Sequence, residues 1–482
     1  MPEPPRRTKI LATIGPASDS EATLRAMMEA GMDAVRLNLS HGTLEEALAT
    51  HARVRALAAD LGRPIGTLVD LPGPKVRAAS FGRDGVVLPD GHRLRLVPGG
   101  ERSTAEVVGV GYDQLLDGIE AGDRIAFGDG GIDVEVTDVG PDALEAVVLH
   151  GGRLTGRPGV HIPSERLQVN TPTPEDLRIL DAFVEAGVDM VAVSFVRSAH
   201  DVRRLGAEPH PRGPLVVAKI ETRSAIDNLA GILDAAGAVM IARGDLGIEC
   251  SIEDLPHLQK HIIRECIAHG RPAITATQML ESMVHAPTPT RAEASDVANA
   301  VFDGSSAVML SGETATGQDP VNVVATMARL CARADANFDT ESWNRLVTRL
   351  RVADPDHGDG RYRRITDTMT DAAWRVAQEL GADAILCLTR SGFTVRAIAR
   401  YRPRTPILGF TPDERVRRQL SMSWGATPMP LTAFAGNEEM VREAVATARQ
   451  AGHVRAGDIV VVLAGIDGRS RTTDVLRVVH VT

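Results

Sequence analysis

Apolar runs of four to seven residues, each ending in a polar or charged residue, recur along the first and middle parts of the chain. They are separated by stretches with the 3.6-residue period of amphipathic helices. Thr8–Ile14 reads as the first strand, closed by Gly15-Pro16 and followed by a helix capped from Ser18-Asp19-Ser20. Asp33–Asn38 and Pro64–Asp70 read as the second and third. The rhythm then stops. From about Leu71 to about Gln168 short alternating stretches with glycine turns, such as Gly131–Gly140, predict a small all-β insertion. It resumes with a helix from Thr173 and strands at Asp189–Ser194, Leu215–Ile220, Ala238–Ala242, Ala273–Thr277 and Ser306–Leu310. Eight strands alternating with helices predict a closed parallel (βα)8 barrel, the TIM-barrel class of α/β fold, whose chemistry sits at the carboxyl ends of its strands.

Beyond about Asn337 a polar stretch around Asp354–Gly360 leads to a long helix from Thr366 and strands near Ala384–Leu388, Pro406–Gly409, Ile459–Leu463 and Val475–Val481. These predict a second α/β domain. The division is therefore 1–70 with 169–337 for the barrel, 71–168 for the all-β lid inserted after the third strand, and 338–482 for the C-terminal domain.

Strand side chains alternate faces, so Lys219 and Glu221 at the end of Leu215–Ile220 point the same way. The next strand ends in Ala242-Arg243-Gly244-Asp245. If the two strands are neighbours, an ammonium and two carboxylates meet at the carboxyl edge, a place to hold a hard divalent cation together with a phosphate. A structural ion pair is the plainer reading of Lys219. Composition gives that lysine weight, because the chain has four lysines (Lys9, Lys75, Lys219, Lys260) among 53 Lys and Arg, leaving 49 arginines. Lysine in so arginine-rich a chain is retained where a compact ammonium does what a guanidinium fork does not.

The chain of 482 residues is long enough for two to four domains, and its 43% hydrophobic but 3% aromatic content predicts an aliphatic core. A net charge of −10 argues against a nucleic-acid or membrane-coating protein. Four cysteines without CxxC spacing suggest neither disulfide framework nor zinc site, and fit a reducing cytoplasm. The N-terminus lacks a signal-peptide core, and no apolar window is long enough to span a membrane.

Seven ordered motifs resemble pyruvate kinase. They are Thr8-Lys9-Ile10 through Gly15-Pro16, Arg36-Leu37-Asn38 with Ser40-His41-Gly42, Ala218-Lys219-Ile220-Glu221, Ala242 to Gly247, Ala276 to Met283, Pro289 to Glu293, and Met309 to Thr314. The resemblance covers nearly the whole chain and implies phosphoryl transfer from phosphoenolpyruvate to ADP, giving pyruvate and ATP. It implies Arg36 and Lys219 at the phosphoryl group, Mg²⁺ (or Mn²⁺) on Glu221 and Asp245, and the substrate carboxylate on backbone N–H groups around Arg243, Gly244 and Asp245. Thr277 would act in protonating the enolate, although a helix N-cap is its structural alternative. Asn38, Ser40, His41 and Arg77 match positions lining the nucleotide phosphates. Arg157 falls where the family usually has a lysine reaching in from the lid, and a solvated surface arginine is the alternative; Asp129 is a further lid residue facing the cleft. The resemblance also suggests a homotetramer, with Gln278 and Arg291 in contact segments. Thr389–Thr394 resembles an effector phosphate loop or a purely structural loop, and the short loop at Gly465–Ser470 argues against a sugar bisphosphate there.

One motif departs from the pattern. Where many members carry Leu-Asp-Thr-Lys-Gly-Pro-Glu, this chain has Val69-Asp70-Leu71-Pro72-Gly73-Pro74-Lys75. In potassium-dependent members a monovalent cation lies among positions matching Asn38, Ser40, Asp70 and that threonine. Here Lys75 brings a fixed positive charge, so K⁺ is expected not to be required. Two rivals are a metal-dependent lyase or aldolase acting on pyruvate enolate, and a non-catalytic protein that kept the fold. The lid and the residues Arg77 and His41 weigh against the first, and the retention of Lys219, Glu221, Asp245 and Thr277 against the second.

Overall fold

The computed structural model describes residues 5–128, 130–207, 212–353, 360–432, 437–465 and 473–482. Eight parallel strands close into a barrel, running around it as Lys9–Thr13, Ala34–Asn38, Gly66–Asp70, Met190–Val193, Leu215–Ile220, Ala238–Ala242, Ala273–Ala276 and Ala307–Leu310. The last strand returns to the first through Lys9↔Ala307 to Ala12↔Leu310. Every strand is buried nearly throughout because helices cover the outside and side chains fill the inside. The helices stop and start where capping chemistry dictates: Thr173 and Thr290 each close a capping box, with Asp176 and Glu293.

Alternation sorts each strand into an outward column packed under helices and an inward column. Leu11, Ala34, Leu68, Met190, Ala192, Leu215, Val217, Ala238, Met240, Ile274 and Ala276 form one buried cluster, the filling of the barrel. Continuing these columns by two residues toward the carboxyl ends turns apolar filling into chemistry. Leu11 leads to Thr13, Ala34 to Arg36 and Asn38, Leu68 to Asp70, Ala192 to Ser194, and Val217 to Lys219 and Glu221.

Between the third and fourth barrel strands lies the all-β insertion, with a six-stranded and a two-stranded sheet around its own core of Leu94, Leu96, Val108, Ile125, Val134, Val148 and neighbours. After the barrel, the helix Thr340–Ala353 precedes a five-stranded sheet ordered Ala426–Pro430, Ile407–Thr411, Ala384–Leu388, Ile459–Ala464, Val475–His480. Its last strand is antiparallel. The helix before it starts at Gly360, earlier than the expected Thr366. The strand Ala426–Pro430 was not expected, since Pro428 and Pro430 remove ladder donors; its place at the sheet edge makes those prolines tolerable. The helix Thr340–Ala353 was likewise missed. Residues 354–359 of the expected polar stretch lie outside the described residues.

The C-terminal sheet docks on the amino-terminal end of the barrel through polar anchors. Buried Asp189 accepts from Arg55 and from Arg418 of the C-terminal region at 2.8 and 2.9 Å. Arg402 donates to the carbonyls of Val301 and Ser305 and lies over the rings of Phe338, Trp343 and Trp424. All four cysteines are free and buried. Among the described residues no helix is long and apolar enough to cross a membrane.

Candidate active site

The inward columns converge at the carboxyl end of the barrel. Strand Leu215–Ile220 pairs with Met190–Val193 on one side and Ala238–Ala242 on the other, so Lys219 stands between Ser194 and the turn that carries Asp245. Lys219 Nζ lies 3.2 Å from Glu221 Oε2 and 3.6 Å from Asp70 Oδ1, and donates a hydrogen bond to Ser194 Oγ at 2.7 Å. Arg36 Nε pairs with the other oxygen of Asp70 at 2.7 Å, and its Nη1 reaches Thr13 Oγ1 at 3.1 Å. Asp70, expected in a monovalent-cation pocket with Asn38 and Ser40, thus clamps the two cations Arg36 and Lys219.

The charge balance is uneven. Burial alone favours a neutral amine, but Asp70, Glu221 and Asp245 outweigh it and hold the Lys219 ammonium well above its usual range. Burial likewise opposes ionisation of Asp70, yet Lys219 and Arg36 hold its carboxyl below the usual value. Glu221 goes the other way: burial raises it, and the repulsion of Asp245 adds to what Lys219 only partly offsets. Its Oε1 accepts from the Phe195 backbone N–H at 2.6 Å, while its Oε2 is buried and accepts no hydrogen bond. A buried carboxylate oxygen that accepts no hydrogen bond, with the Lys219 ammonium at 3.2 Å and a second carboxylate nearby, is a fit for a hard cation. Among the described residues no group of three or more His, Cys, Asp or Glu could hold a metal ion.

Thr277 does not cap a helix in the ordinary sense. The strand ends at Ala276, and Thr277 and Gln278 take left-handed φ values of 66° and 53°. Thr277 Oγ1 accepts from the Gly244 N–H at 2.9 Å and donates to the Ala276 carbonyl at 2.7 Å. This unusual backbone is braced by Arg243, whose guanidinium bonds the carbonyls of Ala276 and Thr277 at 3.2 and 2.6 Å and is anchored on both oxygens of Asp296 at 2.9 and 2.8 Å. The Arg243 side chain is therefore committed to these carbonyls and to Asp296, and its backbone is the part that the expected role calls on.

On the other side, Asn38 Oδ1 accepts from the Ser40 N–H at 3.2 Å, and Arg77 Nη1 donates to the Arg157 carbonyl at 3.3 Å. His41 is held below its usual pKa by burial and by the neighbouring charges of Lys75, Arg77 and Arg36. Lys75 is depressed by partial burial, Arg77 and Lys219, against the pull of Asp245 and Asp70. Lys75 is exposed, and its coupling to Asp245 and Asp70 is electrostatic. The lid also meets the helix after the sixth strand: Ser164 donates from N and Oγ to Glu249 at 2.9 and 2.7 Å. Asp129 lies outside the described residues.

In the C-terminal region Thr389, Ser391 and Thr394 are buried; Thr389 Oγ1 accepts from the Gly392 N–H, and Thr394 meets Thr473 at 2.7 Å. Residues 466–470 lie outside the described residues. Gln278 and Arg291 are exposed. Sequence reasoning missed Ser194, Thr13 and Asp296. The first two were legible as the next inward positions after Ala192 and Leu11; Asp296 carried no signal, being one acid among several on an exposed helix face.

Residues 5–324 match the family model described as pyruvate kinase, barrel domain, and residues 367–479 match that described as pyruvate kinase, alpha/beta domain. The chain is 38% identical over 478 residues to a pyruvate kinase of Bacillus licheniformis, covering 98% of this chain and 80% of that protein. It is 39% identical over 479 residues to one of Geobacillus stearothermophilus, with 98% and 80% covered. A third, of Clostridium acetobutylicum, is 35% identical over 478 residues, with 98% and 99% covered.

Proposed function

The chain belongs to the pyruvate kinase family, and from that premise we propose that it transfers the phosphoryl group of phosphoenolpyruvate to ADP, giving pyruvate and ATP in the last step of glycolysis. The observation that carries the reading is Lys219, held between Glu221 and Asp70 at the carboxyl end of the barrel. In the reaction an oxygen of the ADP β-phosphate forms the new bond to phosphorus, the bond to the enol oxygen breaks, and the enolate takes a proton at its terminal carbon. Positioning and charge neutralisation do most of the work in such a transfer.

Arg36 and Lys219 are the groups we assign to the transferring phosphoryl, with Asp70 orienting both. A divalent cation, Mg²⁺ or Mn²⁺, on Glu221 and Asp245 would neutralise phosphoryl and enolate oxygens; the buried Oε2 of Glu221, which accepts no hydrogen bond, supports its place. The backbone around Arg243, Gly244 and Asp245 takes the substrate carboxylate, and Thr277 orders the protonation of the enolate, through its link to Gly244. Asn38, Ser40, His41, Arg77 and Arg157 line the nucleotide phosphates. Lys75 replaces a monovalent cation among Asn38, Ser40 and Asp70, so that K⁺ is not needed; its electrostatic coupling to Asp70 and Asp245 supports this.

We assign 1–70 and 169–337 to the catalytic barrel, 71–168 to the lid and 338–482 to a regulatory domain, in a cytoplasmic homotetramer with Gln278 and Arg291 at contacts. A phosphorylated effector near Thr389–Thr394 belongs to the same proposal. The test is pyruvate formation from phosphoenolpyruvate and ADP with Mg²⁺, lost on chelation and in Lys219→Met. A wild-type protein that makes no pyruvate would sink the assignment.

A further inference from the structure

The chain enters the lid at Leu71 and returns from it at Thr171, and both passages meet one buried residue. Ser194 Oγ donates to the Leu71 carbonyl at 2.7 Å, and the Ser194 carbonyl accepts from Thr171 Oγ1 at 3.1 Å. The same hydroxyl accepts from Lys219 Nζ at 2.7 Å, and the next residue, Phe195, donates its N–H to Glu221. The junction is closely packed: Ser194 is 2% exposed, and a Cβ at Gly73, where φ is +67°, would stand 2.9 Å from the Ser194 Cβ.

A serine hydroxyl has one proton and two lone pairs. Here the proton is committed to Leu71, which turns a lone pair toward an ammonium that can only donate. The two carboxylates near Nζ supply charge, but at 3.2 and 3.6 Å they do not aim it; the hydrogen bond to Ser194 does. A chain of polarised bonds thus runs from the lid's entry strand through Ser194 to Lys219. We propose that Ser194 is a positioning residue that fixes the Lys219 ammonium and ties its placement to the two chain segments on which the lid is hung. The proposal rests on the role given to Lys219 above and adds to it a partner and a coupling.

Two substitutions separate hydrogen bonding from packing. Ser194→Ala removes the hydroxyl, and Ser194→Cys fills the same space with a poor acceptor. Each is expected to lower kcat about 30-fold, the scale of a displacement near an ångström, while KM for phosphoenolpyruvate and the melting temperature stay close to wild type. Ser194→Thr, which keeps the hydroxyl, retains most of the rate. Thr171→Val lowers kcat by a smaller factor and adds nothing when combined with Ser194→Ala. Folded Ala and Cys variants with full kcat overturn the positioning role; a Thr171→Val effect that is absent, or that multiplies fully with Ser194→Ala, overturns the tie to the lid.

A second readout does not depend on turnover. With four lysines in the chain, ¹⁵N-lysine labelling yields at most four ammonium signals. The Lys219 signal should be protected from solvent exchange in wild type and lose that protection in Ser194→Ala. Unchanged protection sinks the proposal, whereas a wild-type protein that makes no pyruvate while showing this shift sinks only the reaction assignment.

Discussion

Lys219 Nζ and Glu221 Oε2 stand 3.2 Å apart, two residues from each other on one strand. A lysine and a glutamate at i and i+2 share a strand face whatever the fold, so this contact is local in origin. What makes it unusual is that Lys219 also serves Asp70, two strands away, and feels Asp245 from the helix that follows the next strand. One ammonium is shared by three acids, and only Asp70 has a second cation in contact. The surplus of negative charge falls on Glu221 and Asp245, the pair proposed above to hold a divalent cation. On the proposed role, removing Lys219 takes away charge at the phosphoryl as well as this balance. Lys219→Met is therefore expected to lower kcat by about 10³-fold, comparable with loss of a main electrostatic stabiliser. Steady-state kinetics on a variant shown to be folded by circular dichroism measures it.

Lys75 gives a test in salt. In tetramethylammonium buffer the wild-type rate should change less than about twofold on adding K⁺, because a fixed charge already occupies the neighbourhood. Lys75→Glu should lose most activity in that buffer and regain part of it with K⁺. Strong stimulation of the wild type by K⁺ would show that the ammonium does not stand in for the ion.

Asp33 ties the N-terminal segment to the barrel. It accepts from Arg6 Nη1 at 2.6 Å and from the Ile10 N–H at 2.8 Å, with Lys9 Nζ 3.9 Å away. Burial alone would raise its pKa, but Arg6 and Lys9 hold the carboxyl below its usual value. A group depressed on folding contributes stability that is present above its unfolded pKa, about 3.9, and that is lost as pH falls through the lower folded value. Asp33→Asn should cost about 3 kcal/mol near neutral pH and flatten the acid limb of a melting-temperature profile. An equal acid limb in both proteins would contradict the assignment.

Arg402 has no carboxylate in contact, and burial pushes its pKa down to about 10 against a partial pull from Asp335. Two carbonyls and three aromatic rings take the place of a counter-ion. Arg402→Met would leave the Val301 and Ser305 carbonyls buried without this donor and loosen the C-terminal sheet from the barrel. The expected loss is about 2–4 kcal/mol. Denaturant unfolding followed by tryptophan fluorescence reads it directly, since Trp343 and Trp424, two of the chain's three tryptophans, flank the guanidinium.

Features that depend on neighbours along the chain are legible in the order of the amino acids alone. The eight apolar runs, the alternation that puts Lys219 beside Glu221 and Arg36 beside Asn38, and the switch of rhythm at Leu71 are all periodic signals, and period is a local property. The resemblance of seven motifs added roles to those residues. Only the tertiary structure decided who meets whom between strands. Asp70 joining Arg36 to Lys219, Ser194 gathering the lid's two connecting segments onto the ammonium, and Arg243 turning to Asp296 all require the closed strand order and its register. Ala426–Pro430 could be a strand only because it took the sheet's edge, where a proline loses no partner. Contacts of this kind are set by long-range packing, which no window of sequence contains.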